Sequence, residues 1–149
     1  MRILYDPAPR TTDEMFSLAA HEAFLQRYNV TEVTEDRRDA MYQAHLPEVD
    51  VLISQQPMGR DRLVLATKLR AIFNVETNFL PNIDYDLCFE RGIHVLTPGS
   101  VFAVPVAEIG LGMALSLARG IHTAHADFVA GREAYGLESN TKAEILTGS

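Results

Sequence analysis

The sequence predicts an α/β fold: a flavodoxin-like, doubly wound sheet of five parallel strands, followed by a long C-terminal connecting helix. Two observations support this prediction. Five short apolar runs alternate with segments of helical periodicity, which is the pattern of βαβ units. The longest helical pattern comes last, from Val106 to Gly131, with apolar residues at spacings of three and four.

The five apolar runs are the predicted strands. They cover residues 3–5, 30–33, 49–54, 70–75 and 93–96. The first run ends at the turn Asp6-Pro7, and the second is short and alternating. The last three runs are more apolar, as expected for strands that are covered on both faces.

Four segments between the strands are predicted helices: one beginning at Thr11, then residues 37–45, 61–69 and 85–91. Thr11 and Glu14 have the spacing of a capping box. Pro47 is expected to end the second helix, and Gly92 is the expected C′ residue of the fourth. The buried face of the first helix is expected to consist of Met15, Leu18, Ala19, Phe24 and Leu25.

The last helical pattern, from Val106 to Gly131, is apolar on both faces, so the helix is expected to be covered on two sides. A single helix of this length would span about 39 Å, more than the packing of one small domain requires. This length indicates a helix that connects domains or pairs subunits. Glu108 and Arg119 interrupt the apolar pattern, so a membrane span is not predicted.

Composition and charge exclude several classes of protein. The 149 residues, of which 47% are hydrophobic and 22% charged, suit one soluble globular domain. The net charge of -7, without a basic cluster, argues against nucleic acid and anionic membranes as partners. The single cysteine, Cys88, excludes an internal disulfide framework and is expected to be a small buried thiol. The N-terminus enters a strand without a signal peptide, so a cytoplasmic location is expected.

Ligands of an open parallel sheet bind beyond the carboxyl ends of its strands. The most informative segment there is NVETNFLPNIDYD, which follows the fourth predicted strand. Backbone amides of Thr77, Asn78 and Phe79 could hold a small carboxylate in such a polar turn. An ordinary loop in which Asn78 and Asn82 cap turns is the alternative, and on the spacing alone it is the better fit.

Other chemical motifs are weak or absent from the sequence. His122 and His125 have a spacing that can ligate a metal, but two histidines on a helix end are expected to be solvated. The sequence has no glycine-rich dinucleotide fingerprint, phosphate-binding loop or nucleophile elbow. A phospho-receiver domain requires an aspartate after the third strand, where this chain has Ser54.

Residues 69–120 resemble the D-isomer-specific 2-hydroxyacid dehydrogenases. Three blocks carry the resemblance: LRAIFNVETNFLPNID, CFERGIHVLTPGS and VAEIGLGMALSLARGI. The resemblance implies that residues 1–104 form a flavodoxin-like substrate domain and residues 105–135 a long inter-domain and dimerisation helix. Residues 136–149 would then lead into an NAD-binding domain that lies outside this chain.

The implied function is the substrate-domain portion of an NAD(P)-dependent oxidoreductase acting on the CH–OH group of a small 2-hydroxy acid. The implied substrate-binding residues are Glu76, Thr77, Asn78 and Phe102. The family's catalytic arginine, acid and histidine, and most contacts to NAD or NADP, fall outside this chain, which alone is expected to be inactive. Phe102 replaces an asparagine that is frequent in the family, and the loop at residues 75–84 is longer than usual. The longer loop would change how it meets a carboxylate, and the apolar Phe102 indicates a different or bulkier substrate, or none.

Two partner predictions complete this interpretation. The resemblance implies a small 2-hydroxy or 2-oxo acid as ligand and a homodimer through the helix from Val106 to Gly131. The alternative is a non-catalytic flavodoxin-like module that binds a small anion or a protein and dimerises through the same helix. Its apolar faces support either interpretation, because both require that something covers them.

Overall fold

The computed structural model describes residues 1–136, and its sheet has five parallel strands in the order β2-β1-β3-β4-β5. The strands are β1 (Arg2–Tyr5), β2 (Asn29–Glu32), β3 (Val51–Ile53), β4 (Ala71–Phe73) and β5 (His94–Leu96). This order is that of the flavodoxin-like doubly wound sheet. The predicted fold class and the five predicted strands are therefore confirmed.

The described residues also form seven α-helices. They are α1 (Thr12–Met15), α2 (Leu18–Arg27), α3 (Arg38–His45), α4 (Arg60–Leu65), α5 (Tyr85–Glu90), α6 (Gly99–Ala118) and α7 (Ile121–Val129). The helix α3 ends before Pro47, as predicted, and Pro47 lies in a short 3-10 helix, Leu46–Glu48, that follows it. Gly92 adopts a φ of +68° after α5, which confirms it as the C′ residue.

The core lies on one face of the sheet. Leu4, Leu52 and Ile72 are neighbours on β1, β3 and β4, and each is at most 1% exposed. Tyr42 of α3 and Leu63 of α4 pack in the same cluster. Full burial of one such aliphatic side chain contributes about 1.5–3 kcal/mol, so this row fixes the register of the central strands.

The predicted first helix is two helices. The Thr11 N–H donates to the Glu14 carboxylate at 2.8 Å, so the predicted start is confirmed. The helix ends after Met15 because Phe16 has an extended backbone, with φ -131° and ψ 141°. Ser17 then begins α2 and accepts a hydrogen bond from the Ala20 N–H at 3.4 Å. The break changes the direction of every side chain that follows.

The predicted buried face of this segment is therefore only partly formed: Met15 and Phe24 are half-buried, and Ala19 is exposed. Leu18 is 79% exposed and Leu25 is 40% exposed. Two aromatic rings contact Tyr5 of β1: Phe16, which was not predicted, and Phe24, which was. Both pack edge-on against the Tyr5 ring, with centroids 5.9 and 6.0 Å away. The continuous helical spacing that predicted the face does not exist across Ser17.

The helix α4 ends earlier than predicted, at Leu65. Ala66 leaves the helical conformation with φ -81° and ψ 65°. The guanidinium of Arg91 donates to the carbonyl oxygens of Leu63 and Ala66, the second at 2.6 Å. A cation on the last carbonyls satisfies acceptors that have no partner inside the helix.

The long C-terminal helix is present as α6, with two differences from the prediction. It begins at Gly99 rather than at the predicted Val106, so Pro105 lies inside the helix. It ends at Ala118, because Gly120 has a left-handed φ of +60° and separates α6 from α7. The predicted single helix up to Gly131 is therefore not formed, and two separate helices, α6 and α7, take its place.

The chain divides into two compact units, Met1–Gly99 and the part from Ser100 onward. In the second unit the apolar residues of α6 are exposed, with Val106 at 64% and Leu117 at 72%. By length and composition, Gly99–Ala118 could cross a membrane, with a mean hydropathy of 1.9; a single helix of this kind is weak evidence. The lead-in predicted at residues 136–149 lies, apart from its first residue, outside the described residues.

Candidate functional site

Three buried polar residues follow the central strands on the core face of the sheet. Asp6, Ser54 and Asn74 come two positions after the aligned Leu4, Leu52 and Ile72, and they are 1%, 2% and 3% exposed. Their backbone N–H groups continue the sheet: each donates to the neighbouring strand at 2.9, 2.9 and 2.8 Å respectively. Buried polar side chains therefore lie at the carboxyl edge of the sheet, where ligands bind in this fold.

Asp6 and Ser54 belong to one hydrogen-bonded network. The Asp6 carboxylate accepts from Arg38 Nε at 2.9 Å and from the Tyr42 hydroxyl at 3.3 Å. The Tyr42 and Ser54 oxygens lie 2.6 Å apart, and Ser54 Oγ accepts from the Gln56 N–H at 2.9 Å. The hydrogen bond to Asp6 raises the pKa of Arg38, and burial raises the pKa of Tyr42 above its usual value. The network is thus one ion pair plus neutral hydroxyls, and it holds the first turns after β1 and β3.

The loop after β4 is tied to the loops after β1 and β3. The Glu76 N–H donates to Gln55 Oε1 at 2.9 Å, and Asn82 Nδ2 donates to the Gln55 carbonyl oxygen at 3.0 Å. The Glu76 carboxylate accepts from Arg10 twice, from Nε at 2.8 Å and from Nη2 at 3.4 Å. This hydrogen bond also raises the pKa of Arg10. Glu76 therefore contacts both other loops at the carboxyl edge of the sheet, the loop after β1 through Arg10 and the loop after β3 through Gln55.

The next three residues of this loop have unpaired backbone amides. Within residues 1–136, the N–H groups of Thr77, Asn78 and Phe79 have no hydrogen-bond acceptor. Thr77 is half-buried, whereas Asn78 and Phe79 are exposed. Successive unpaired amides in a turn are the usual backbone site for an anion. In the alternative, Asn78 and Asn82 both stabilise turns: the Asn78 side chain makes no hydrogen bond to the described residues, whereas Asn82 Nδ2 donates to the Gln55 carbonyl oxygen at 3.0 Å.

Four buried side-chain atoms in and beside this loop have no hydrogen-bond partner within residues 1–136: Gln55 Nε2, Asn74 Nδ2, Asn74 Oδ1 and Asn82 Oδ1. The Tyr85 hydroxyl does not serve these atoms, because it donates to the Leu80 carbonyl oxygen at 2.7 Å. Buried polar atoms are normally satisfied. This edge of the sheet therefore has spare donors and acceptors for polar ligand groups or water.

Three of the four predicted site residues are consecutive in the sequence, and the fourth lies in the other unit. Glu76, Thr77 and Asn78 share the loop after β4, while Phe102 is half-buried on α6 in the second unit. His122 and His125 are exposed on α7. No group of three potential metal ligands occurs among the described residues.

Cys88 is fully buried on α5, and burial raises the pKa of its thiol. The expectation of a small buried thiol is confirmed.

Sequence reasoning missed Arg10 and Gln55 as parts of the site. Both residues follow strands at the ligand edge, and that position was the available signal. Arg10 pairs with Glu76 across 66 residues of sequence, and no local pattern encodes this pairing.

An open parallel sheet of this order, with helices between its strands, defines a flavodoxin-like α/β domain. No family model and no curated protein sequence matches the chain. Among solved structures, a phosphoglycerate oxidoreductase from Rhizobium etli is 41% identical with a TM-score of 0.82, covering 99% of this chain and 46% of that one. The chain belongs to the D-isomer-specific 2-hydroxyacid dehydrogenase family.

Two further solved structures share the fold at lower identity. A 2-hydroxyacid dehydrogenase from Ketogulonicigenium vulgare Y25 is 22% identical, covers 97% of this chain and 44% of its own, and gives a TM-score of 0.65. A D-lactate dehydrogenase from Aquifex aeolicus, complexed with NAD and lactic acid, is 16% identical, covers 91% and 39%, and gives a TM-score of 0.58. The chain therefore spans less than half the length of these relatives.

The described residues do not fit a dinucleotide. A pyrophosphate site needs a glycine-rich turn between a strand and a helix. In residues 1–136, the turns between each strand and the next helix contain single glycines at most, Gly59 before α4 and Gly99 at the start of α6.

Proposed function

We propose that this chain is the substrate-binding portion of an NAD(P)-dependent oxidoreductase that acts on the CH–OH group of a small 2-hydroxy acid. The main support is the run of unpaired amides at residues 77–79, at the edge of the sheet where this fold binds ligands. The 41% identity with an oxidoreductase over nearly the whole chain supports the same class of reaction.

In this proposal, the backbone amides of residues 77–79 hold the substrate carboxylate. Hydrogen bonds to a charged group are stronger than neutral ones, so two or three amides suffice to orient a small acid. The ties from Gln55 and Arg10 to Glu76 keep the loop in place before the ligand arrives. Phe102, on α6, is the fourth residue for which the family resemblance implies a role in substrate binding. The catalytic arginine, acid and histidine, and the NAD or NADP site, belong to residues outside this chain, which alone is inactive.

The test is a titration of the isotope-labelled chain with D-lactate, followed through the backbone amide resonances of residues 77–79. Thr77→Pro removes one donor, and we expect the dissociation constant to rise about tenfold, as for a lost hydrogen bond to a charged group. Asn78→Ala keeps its amide and is the matched control, with an unchanged dissociation constant. In a form that also carries the cofactor domain, Thr77→Pro would raise KM. Resonances that do not respond to the acid, or equal binding by the proline variant, would remove this loop from the site.

The proposal includes a homodimer and a cytoplasmic location. The exposed apolar side chains of α6, such as Ile109 at 62% and Met113 at 59%, support a second copy of the chain as the cover. The same feature favours a second candidate, a non-catalytic module that binds a small anion and dimerises. The two candidates differ over the cofactor: a chain extended by its cofactor domain would oxidise a 2-hydroxy acid with NAD or NADP only under the first.

A further inference from the structure

The ion pair between Arg10 and Glu76 lies next to the loop at residues 77–79, whose amides are proposed to bind the substrate carboxylate. Its two contacts, at 2.8 and 3.4 Å, form a fork, and the side chains remain 38% and 31% exposed. Glu76 directly precedes Thr77, the first residue with an unpaired amide. A carboxylate bound by these amides would therefore lie close to a fixed negative charge.

A bare glutamate at this position would oppose the ligand. Like charges a few ångströms apart in a partly buried site repel strongly enough to change an affinity by about tenfold or more. Within residues 1–136, Arg10 is the only cation within 4.0 Å of the Glu76 carboxylate.

We propose that Arg10 is a specificity-determining residue, whose guanidinium cancels the charge of Glu76 and thereby makes the loop at residues 77–79 receptive to a carboxylate. This inference rests on the proposed function, because the anion is taken to be the carboxylate of the substrate. It assigns to Arg10 an effect on ligand affinity that acts through charge. It also explains why an acidic residue is compatible with an anion site.

A purely structural role for the ion pair makes a different prediction. If the pair only anchored the loop, removal of either partner would release it and weaken binding equally. The loop has two other anchors, the Glu76 N–H on Gln55 Oε1 and the Asn82 amide on the Gln55 carbonyl oxygen. These anchors do not involve either charge, so they persist when the ion pair is removed.

The experiment compares Arg10→Gln, Glu76→Gln and the double variant in the 149-residue chain. The probes are sodium acetate and D-lactate, and the readout is the amide resonances of residues 77–79. We expect Arg10→Gln to raise the dissociation constant about tenfold. Glu76→Gln should lower it several-fold, because it removes the negative charge and leaves Arg10 unpaired. The double variant should return to within about threefold of the wild type, which is the non-additivity of a coupled pair.

Three controls separate charge from fold. Arg2→Gln removes the same charge from an ion pair with Glu48 at the amino end of β1, and it should leave binding unchanged. Arg10→Lys keeps the charge and should bind within about threefold of the wild type, although it loses the fork. The deficit of Arg10→Gln should shrink as salt is raised to about 0.5 M, because the repulsion is screened.

The outcomes separate this inference from the proposed function. Equal weakening in all three variants, or D-lactate binding that Arg10→Gln does not alter, would overturn the role of Arg10 while the substrate site stands. Acetate binding that depends on Arg10, without any response to D-lactate, would support Arg10 and reject the hydroxy acid. A wild-type loop that responds to neither probe would overturn both.

Discussion

The hydroxyl of Tyr42 lies 2.6 Å from Oγ of Ser54, and both residues are at least 98% buried. Tyr42 has one proton, which it donates to Asp6, so the hydrogen between Tyr42 and Ser54 comes from the serine. Ser54 in turn accepts from the Gln56 N–H. The negative charge of Asp6 therefore fixes the donor and the acceptor of each hydrogen bond in this network. The network links α3 to the carboxyl ends of β1 and β3.

Asp6→Asn tests the energetic weight of this network. The substitution keeps the shape but leaves the half-buried Arg38 without its counter-charge, so we expect the free energy of unfolding to fall by about 2–3 kcal/mol. Asp39→Asn is the matched control, since Asp39 pairs with Arg62 at 2.7 Å while 85% exposed. Its loss should cost about 0.5 kcal/mol or less. Urea unfolding measures the free energy of unfolding of both variants. Similar losses of stability would show that the buried Asp6 contributes no more than an exposed ion pair.

The buried tyrosine predicts a loss of stability at alkaline pH. Because burial raises the pKa of Tyr42 in the folded state, its contribution is fully present below the unfolded pKa of about 10 and is lost as pH rises through the folded pKa. In Tyr42→Phe, the free energy of unfolding should fall less between about pH 8 and about pH 11. Tyr5 and Tyr85, whose pKa values are also raised, would retain part of the effect. An identical pH dependence in the variant would contradict this assignment.

Cys88 should be unreactive in the folded chain. Burial raises the pKa of its thiol, and the thiolate is the form that reacts with alkylating agents. We expect iodoacetamide to modify the thiol slowly under native conditions and rapidly in urea, as followed by intact mass. Fast stoichiometric modification without denaturant would show that α5 opens readily or that the thiol is accessible.

Gly92→Ala tests the left-handed C-terminus of α5. A Cβ at this position meets no atom within 4 Å, so the cost comes from the backbone φ of +68° alone. We expect a loss of about 1 kcal/mol in the free energy of unfolding. Glu90→Ala, at an exposed position of the same helix, should change stability by about 0.5 kcal/mol or less. Equal effects of the two substitutions would mean that the helix end relaxes without strain.

The exposed apolar surface of α6 predicts self-association. Sedimentation velocity at micromolar concentration should show a dimer, and Ile109→Asp should weaken it at least about tenfold by placing a charge in an apolar contact. Leu18→Asp is the control, because Leu18 is an isolated exposed leucine on α2 at 79% exposure. A wild-type chain that sediments as a monomer would contradict the proposed homodimer.

The strands were predictable because each is a short apolar run that turn-forming or helical segments bound on both sides. The helices were less predictable at their ends. The break at Ser17 and the early end of α4 at Ala66 depend on contacts with distant residues, Tyr5 in the first case and Arg91 in the second. No local pattern reports such contacts.

The candidate site divides in the same way. The loop at residues 76–78 was predictable, because polar residues after a buried strand mark the ligand edge of a parallel sheet. The role of Arg10 was not, because its partner Glu76 is 66 residues away.

The sequence by itself determined the fold class, the strand positions and the family, because apolar periodicity and short motifs are local properties of the chain. The tertiary structure alone decided which polar residues meet: Asp6 with Tyr42, Arg10 with Glu76, and Gln55 with the loop after β4. The physical reason is that hydrogen bonds and charge neutralisation depend on distances of about 3 Å. Only the folded sheet, which aligns the ends of strands far apart in sequence, sets those distances.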